Sequence, residues 1–338
     1  MLKKKNYIIN IIIILIISGL CVYFTIGSNL KETLQSLKQA SLIWLFIMFF
    51  VMSFYYIFDS LILYILGKLY NKTYSFKLAF INSTTGTLFN GITPFASGGQ
   101  FMQVYLFNKT GINPSSSSGI LLTLFITYQS ILVIFSGLVF LVKYNYFKSE
   151  NPVIISLAVL GFVINVLIVA GLFLFSVSKK AHKVLTDSIL TLGYKLKIIK
   201  NLSASKDHVN GYLSNFRKQV IFLINNKKIL IEVCLCNVIK LLVLYSMPFL
   251  SCKAIGVDVS ISQFEFFICL SSLIYLINAF IPIPGSSGGS EGCYLLIFSF
   301  LPVGQLASTM VLWRFVSYYL GLIVGSISFA FSFKEEKK

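Results

Sequence analysis

Two stretches of this sequence share one spacing, P-x-x-S-G-G. They are Pro94-Phe95-Ala96-Ser97-Gly98-Gly99-Gln100 and Pro284-Gly285-Ser286-Ser287-Gly288-Gly289-Ser290, the second followed at once by Glu291. A proline ends an incoming helix, and two glycines permit a tight turn. The residues after them open an outgoing helix whose first N–H groups lack helical partners and favour an anion. Two such N-termini brought together would suit a phosphate group. The other reading is that the small residues only let helices pack closely. Glu291 is expected to pair with Arg314 in the next apolar run. The pair is either structural glue or a site in which Arg314 holds a lipid phosphate while Glu291 positions it or takes a proton. Asp59 and Lys240 also lie deep in apolar runs, one in the run before each broken stretch. Ionisable groups at membrane depth are costly and are functional candidates by default, so these two are possible coupling charges. Gln103 and the dipeptide Tyr128-Gln129 serve either a ligand or an interhelical hydrogen bond, and Glu232 and Glu265 stand near run ends where snorkelling also accounts for them.

These residues need elements to hold them, and composition says of what kind. The chain of 338 residues is 57% hydrophobic and 12% charged, where a soluble domain has about 45–50% and about 25%. That leaves too few charges for a water-facing surface, so this is an integral membrane protein. Apolar runs of the roughly 20 residues needed to cross a bilayer recur along the whole chain, without the period-2 alternation of a barrel. The fold class is therefore all-α, a polytopic helical bundle forming a single membrane domain over 1–338. Lys3, Lys4 and Lys5 precede a run over 7–26; no small-residue cleavage site follows it, so it reads as a retained signal anchor rather than a cleaved signal peptide. Spans are predicted at about 41–66, 115–142, 152–177, 229–250 and 304–333. The stretches 78–107 and 261–301 are broken by the two Pro/Gly motifs and are predicted to be re-entrant hairpins, since irregular backbone at membrane depth is tolerated only inside protein or along a cavity. One hairpin enters from the cytoplasm and the other from outside. Residues 41–142 and 229–333 then form inverted repeats, a pattern that points to a transporter's substrate site near the midplane.

The net charge of +17 would suggest nucleic acid in a soluble protein, but its distribution assigns it to topology. On this layout the inside segments carry 21 basic and 4 acidic residues, the outside segments 5 and 3, as the positive-inside rule requires. The protein is expected to be a multi-pass cell-membrane protein with both termini cytoplasmic and no direct nucleic-acid partner. Residues 179–228 hold eleven Lys/Arg against Asp187 and Asp207. In this segment Val209, Tyr212, Phe216, Val220 and Leu223 recur at helical steps, which fits an amphipathic helix on the anionic inner leaflet; a solvated basic loop is the alternative. The six cysteines read as apolar packers. With two histidines and no ligand-spaced cluster, neither a metal nor a cofactor is expected. No G-x-x-x-x-G-K-[ST] motif is present, so active transport would need a gradient or a partner.

At the second motif, with Ile281-Pro282-Ile283-Pro284-Gly285, Gly288-Gly289-Ser290-Glu291 and then Trp313-Arg314-Phe315, the chain resembles the lysylphosphatidylglycerol synthase/flippase transmembrane family, the membrane half of the multiple peptide resistance factor. The first motif, Thr93-Pro94 to Gln103 and Tyr105, with Tyr128-Gln129, is similar to the version in low-GC Gram-positive bacteria. The resemblance implies movement of anionic or aminoacylated phospholipid between leaflets, with phosphate held near Ser97–Gln100 and Ser287–Glu291 and Arg314 as counter-ion. In two-part members a cytosolic domain transfers lysine from lysyl-tRNA to phosphatidylglycerol. Residues 179–228 are too short for that, so the chain is not expected to be an enzyme by itself. The family's first-half arginine, expected near Phe125, is also missing. Two other readings stay open: a component of a phosphatidylglycerol lysyltransferase with a separate synthase, and a scaffold for a cell-envelope glycosyltransferase.

Overall fold

The computed structural model describes residues 30–143, 152–195, 201–279 and 281–332. The predicted signal anchor at 7–26 and the terminal lysines Lys334, Lys337 and Lys338 lie outside the described residues. Among the described residues all regular structure is helical. Six of the described helices are long and apolar enough to cross a membrane, which makes this a polytopic helical membrane protein.

A short helix α1 (Leu30–Lys38) precedes α2 (Leu42–Lys68), α3 (Phe76–Gly91), a 3-10 turn (Pro94–Ala96), α4 (Gly98–Lys109) and α5 (Pro114–Val142). Then come α6 (Pro152–Val177), α7 (Lys179–Lys195) and α8 (Leu202–Asn225). The chain continues with α9 (Lys227–Ile255), α10 (Phe264–Asn278), a second 3-10 turn (Pro284–Ser286), α11 (Gly289–Ile297), α12 (Val303–Arg314), a π-helical turn (Phe315–Tyr319) and α13 (Leu320–Ser332). Local chemistry sets the boundaries. The Ser75 and Asn113 side chains accept from the N–H groups of Leu78 and Ser116, capping α3 and α5, and Pro114 opens α5. Helix α9 runs five residues past its predicted end because Gly256, at φ +81°, supplies the left-handed cap, and Val257 N–H donates to Cys252 O at 2.9 Å.

Each half thus runs long helix, shorter helix, proline-initiated turn, short helix, long helix. The halves differ in one respect. The arms of the first hairpin, α3 and α4, are 16 and 12 residues long, too short to cross separately. The first arm of the second, counted with the turn before it as Ile261–Asn278, has 18 residues. At 1.5 Å per residue it covers about 27 Å, close to a hydrocarbon core of about 30 Å.

Helices α2 and α9 form the most extensive pair and bind the two halves together. Around them Met48, Met52, Tyr245, Met247 and Phe267 are fully buried, with Trp313 stacked on Tyr294 at 4.9 Å. A second seam joins α3 to α13. A Cβ on Gly325 would lie 2.5 Å from Thr84 O, so only glycine permits this approach. The polar face of α3 is partly spent on its own backbone, with Thr84 and Thr87 hydroxyls donating to Phe80 O and Ser83 O.

The 179–228 segment folds as two helices. Phe216, Val220 and Leu223 are buried because α8 packs along α5; Tyr212 is anchored to Ser118 and Ser115 there. The C-terminal part of the predicted stripe is therefore covered by the chain itself, while Tyr212 keeps 36% of its surface exposed and Lys206 pairs with Asp187 at 2.7 Å. Arg217 Nε donates to Val177 O at 2.6 Å, satisfying the end of α6. Lys68, Lys72, Lys77, Lys109, Lys227 and Lys228 gather at the same end of the bundle. At the opposite end Lys143 pairs with Glu265 at 3.2 Å, linking α5 to α10.

Candidate functional site

The two P-x-x-S-G-G motifs share a backbone over the proline and the two residues after it and part at the serine, where Ser97 is helical (φ −89°, ψ −23°) and Ser287 extended (φ −61°, ψ 138°), so that α4 starts at Gly98 and α11 only after Gly288 at φ +84°. Thr93 and Ile283 are extended, as residues before proline tend to be. The two residues after each proline then turn left-handed, Phe95 and Ala96 at φ 54° and 49°, Gly285 and Ser286 at φ 60° and 51°. Each turn closes through the same pair of bonds: Ala96 N to Thr93 O and Ser97 N to Pro94 O in the first, Ser286 N to Ile283 O and Ser287 N to Pro284 O in the second. Non-glycine residues in this region cost about 1–2 kcal/mol each, so three such residues are a strain that the surroundings must hold. The two turns pack against one another.

The second turn is built around charge. Glu291, 1% exposed, accepts from Gly288 N–H at 2.7 Å, and its other oxygen lies 2.8 Å from Arg314 Nε. Arg314 also donates to Gly285 O and, at 3.4 Å, to Ser287 Oγ, so one guanidinium fastens the turn from the end of α12. Its flat face lies 4.2 Å from the Tyr318 ring, and Tyr318 OH donates to Gly91 O of the first hairpin at 3.1 Å. Tyr318 also explains Gly285: a Cβ there would sit 2.4 Å from the ring. The π-helical turn that follows Arg314 is what places Tyr318 beside the guanidinium.

The first turn is neutral. Gly98 N–H donates to Thr93 Oγ1 at 2.8 Å and Gly99 N–H to Asn90 Oδ1 at 3.0 Å. Pro94, Ser97 and Gln100 are exposed, and Gln103 packs on Gly86. Phe95 and Phe101 stand out from this tip, 66% and 78% exposed. At the start of α4 the N–H groups of Gly98 and Gly99 are taken by Thr93 and Asn90, so these two do not face an anion; at the second hairpin Glu291 takes the N–H of Gly288, the residue before α11. Ser290 Oγ and Asn278 Oδ1 are buried around the second turn without a partner among the described residues.

Asp59 and Lys240, named separately from sequence, meet. Lys240 Nζ bonds Asp59 Oδ1, and Ser83 Oγ donates to Asp59 Oδ2, so the pair ties α2 and α3 to α9. The ammonium lies 5.4 and 5.3 Å from the ring centres of Tyr55 and Tyr128, a distance at which aromatic faces attract cations. Nearby, Gln129 bonds Asn165, which also donates to Gly161 O and Leu276 O. Sequence reasoning missed Tyr318, Tyr55 and the caps Asn90 and Thr93. Tyr318 lies four residues after Arg314, a usable helical signal; Tyr55 has the same relation to Asp59.

Residues 10–325 match the family described as the lysylphosphatidylglycerol synthase TM region. The chain is also 24% identical over 290 residues to a UPF0104 membrane protein of Archaeoglobus fulgidus, covering 80% of this chain and 82% of that one. With a helical membrane fold, two matched proline turns and a family match over most of its length, the chain belongs to the lysylphosphatidylglycerol synthase transmembrane-region family.

Proposed function

We propose that this protein moves anionic or aminoacylated phospholipid, such as lysylphosphatidylglycerol, between leaflets. The observation that carries the reading is the pair of matched turns in contact, one of them holding the buried Arg314–Glu291 pair. Arg314 is the counter-ion for the lipid phosphate, and Glu291 is its resting partner. A phosphate arriving at Arg314 takes Glu291's place there, so the guanidinium is never left buried and uncompensated. The exposed Phe95 and Phe101 offer an apolar guide for acyl chains beside this polar point. In this reading the halves 41–142 and 229–333 are inverted repeats, both hairpins are re-entrant, and the end bearing Lys68, Lys109 and Lys227 is cytoplasmic. The basic flank of α7–α8 then lies along the anionic inner leaflet.

The test is transbilayer movement of labelled phosphatidylglycerol and lysylphosphatidylglycerol in liposomes containing the purified protein. Movement that Glu291→Gln and Arg314→Ala abolish, with the fold kept, is the expected result. The family's description names a synthase, which favours a second reading as the membrane component of a lysyltransferase. That reading predicts new lysyl-lipid only when a separate synthase is added, with no lipid movement by this chain alone.

A further inference from the structure

Lys240 is 3% exposed, and its ammonium is held by more than a salt bridge. Asp59 Oδ1 takes it from α2, while the rings of Tyr55 and Tyr128, on α2 and α5, stand 5.4 and 5.3 Å from Nζ. Two aromatic faces and a carboxylate are the parts of a site for an ammonium ligand. Tyr55, Asp59 and Tyr128 are each only partly buried, so the site is reached from outside the packed core although the lysine filling it is not. A row of groups leads from it to the second turn: Tyr128 neighbours Tyr275, and Tyr275 neighbours Ser317 and Arg314.

The lysine also has a second place to go. Asn237 stands one helical turn before Lys240 on α9, fully buried, and residues at that spacing share a face. Its Nδ2 donates to Thr127 Oγ1 at 3.4 Å. The Thr127 hydroxyl hydrogen is engaged by Thr123 O and Leu124 O, so its oxygen accepts and the amide orientation is fixed. Asn237 Oδ1 is then a buried acceptor with no partner among the described residues. Helical side chains point back toward the N-terminus, so an ammonium that leaves Asp59 can reach it one turn down.

We propose that Tyr55, Tyr128 and Asp59 form a binding site for a primary ammonium, filled at rest by the chain's own Lys240 and opened to a ligand when Lys240 turns to Asn237. The charge count narrows the ligand. An ammonium arriving alone would put two cations on one carboxylate, leaving a buried charge uncompensated. The ligand must bring an anion with it, and Arg314 lies at the far end of the tyrosine row to receive one. The class is therefore a headgroup with both an ammonium and a phosphate. The inference rests on the reading of the protein as a phospholipid transporter for the carrier of that headgroup, and deepens it by giving the amine a subsite of its own. A soluble zwitterion offers the same chemistry.

The first arm of the experiment needs no lipid. Lys240→Ala removes the equivalent of n-propylammonium, so the full chain carrying it is titrated with that ion in detergent and its thermal midpoint is read. The midpoint should rise saturably with n-propylammonium and stay put with n-propanol or tetramethylammonium. Tyr128→Leu in that background should weaken the rescue about tenfold. The wild type, its site filled, should not respond. A folded Lys240→Ala protein that ignores n-propylammonium, or a wild type stabilised equally, would overturn the site. The second arm measures binding of lysylphosphatidylglycerol, phosphatidylglycerol and soluble glycerophosphoethanolamine to the wild-type chain in phosphatidylcholine nanodiscs, and keeps the test valid if Lys240→Ala does not fold. The aminoacyl lipid should bind about tenfold more tightly than its parent, a preference that Tyr128→Leu removes. Asn237→Leu should weaken that binding about tenfold and leave the propylammonium rescue of Lys240→Ala intact, since only an occupied site has a lysine to send away. Equal binding of the two lipids, or indifference to Asn237→Leu, would overturn the exchange and leave Lys240 a structural partner of Asp59. Soluble glycerophosphoethanolamine binding as tightly as the aminoacyl lipid would overturn the lipid as the source. The rescue is read without lipid movement, so a failure of translocation and a failure of this site are separable.

Discussion

Replacing Arg314 by methionine leaves Glu291 1% exposed, with Gly288 N–H as its remaining hydrogen bond. Breaking a buried pair from one side costs about 3–5 kcal/mol. The lost bonds to Gly285 O and Ser287 Oγ belong to the same site, so R314M falls at the upper end of that range. Glu291→Gln costs less, about 1–3 kcal/mol. The glutamine oxygen can keep the bond from Gly288, and Arg314 keeps the turn carbonyl and the Tyr318 ring. The double variant E291Q/R314M removes both charges. It should be more stable than R314M alone, which makes the coupling between the sites larger than the cost of E291Q itself, about 1–3 kcal/mol. The assay is the thermal midpoint of the four proteins in one detergent, read by a probe of tertiary structure. If the double variant loses as much as the two single variants together, the pair is not a unit. The argument for Arg314 as a compensated, exchangeable cation would then fail.

Other expectations are as direct. Asp59→Asn and Lys240→Met should each lower the midpoint and slow lipid movement, while the exchange D59K/K240D restores part of the midpoint, because the pair bridges α2 and α9. Gly285→Ala should cost more than 2 kcal/mol, because φ +60° and a Cβ 2.4 Å from Tyr318 both oppose it, and adding Tyr318→Ala should recover only the steric share. Phe95→Gly should stabilise the fold slightly by relieving a left-handed phenylalanine. It should also slow lipid movement if the exposed ring guides acyl chains. Arg217→Ala should lower the midpoint by a few degrees and leave lipid movement intact, since its bond to Val177 O is far from both turns.

The long helices were legible because apolar runs bounded by lysine and proline allow little else. Predicted spans at 115–142 and 152–177 differ from α5 and α6 by a residue at most. The breaks were legible for the same reason, since proline and paired glycines interrupt the runs in both halves. What the sequence could not carry was pairing at a distance. Asp59 and Lys240 are 181 residues apart, and nothing in their neighbourhoods names the partner beyond opposite charge. Capping was misjudged for a different reason. The oxygens of Asn90 and Thr93 take the first N–H groups of the helix that follows, a role that depends on the turn between them and not on any spacing within one helix.

The two turns share a backbone and divide the chemistry. The first is neutral, self-capped and tipped with exposed phenylalanine, which gives an anion no charge to meet and an acyl chain a surface to lie on. The second holds one buried cation against one buried anion, with Ile283 42% exposed just before the turn. A ligand with a phosphate and two long chains needs both kinds of surface side by side, and the contact between the turns supplies that adjacency. Because Tyr318 touches Arg314 and bonds Gly91, a change in the ion pair is felt directly in the first hairpin. Asp59–Lys240 is a second link between the halves, so a movement of one half against the other must break or carry both. Losing the first alone should loosen the turns and leave α2 against α9, whereas losing the second should loosen the halves with the turns intact.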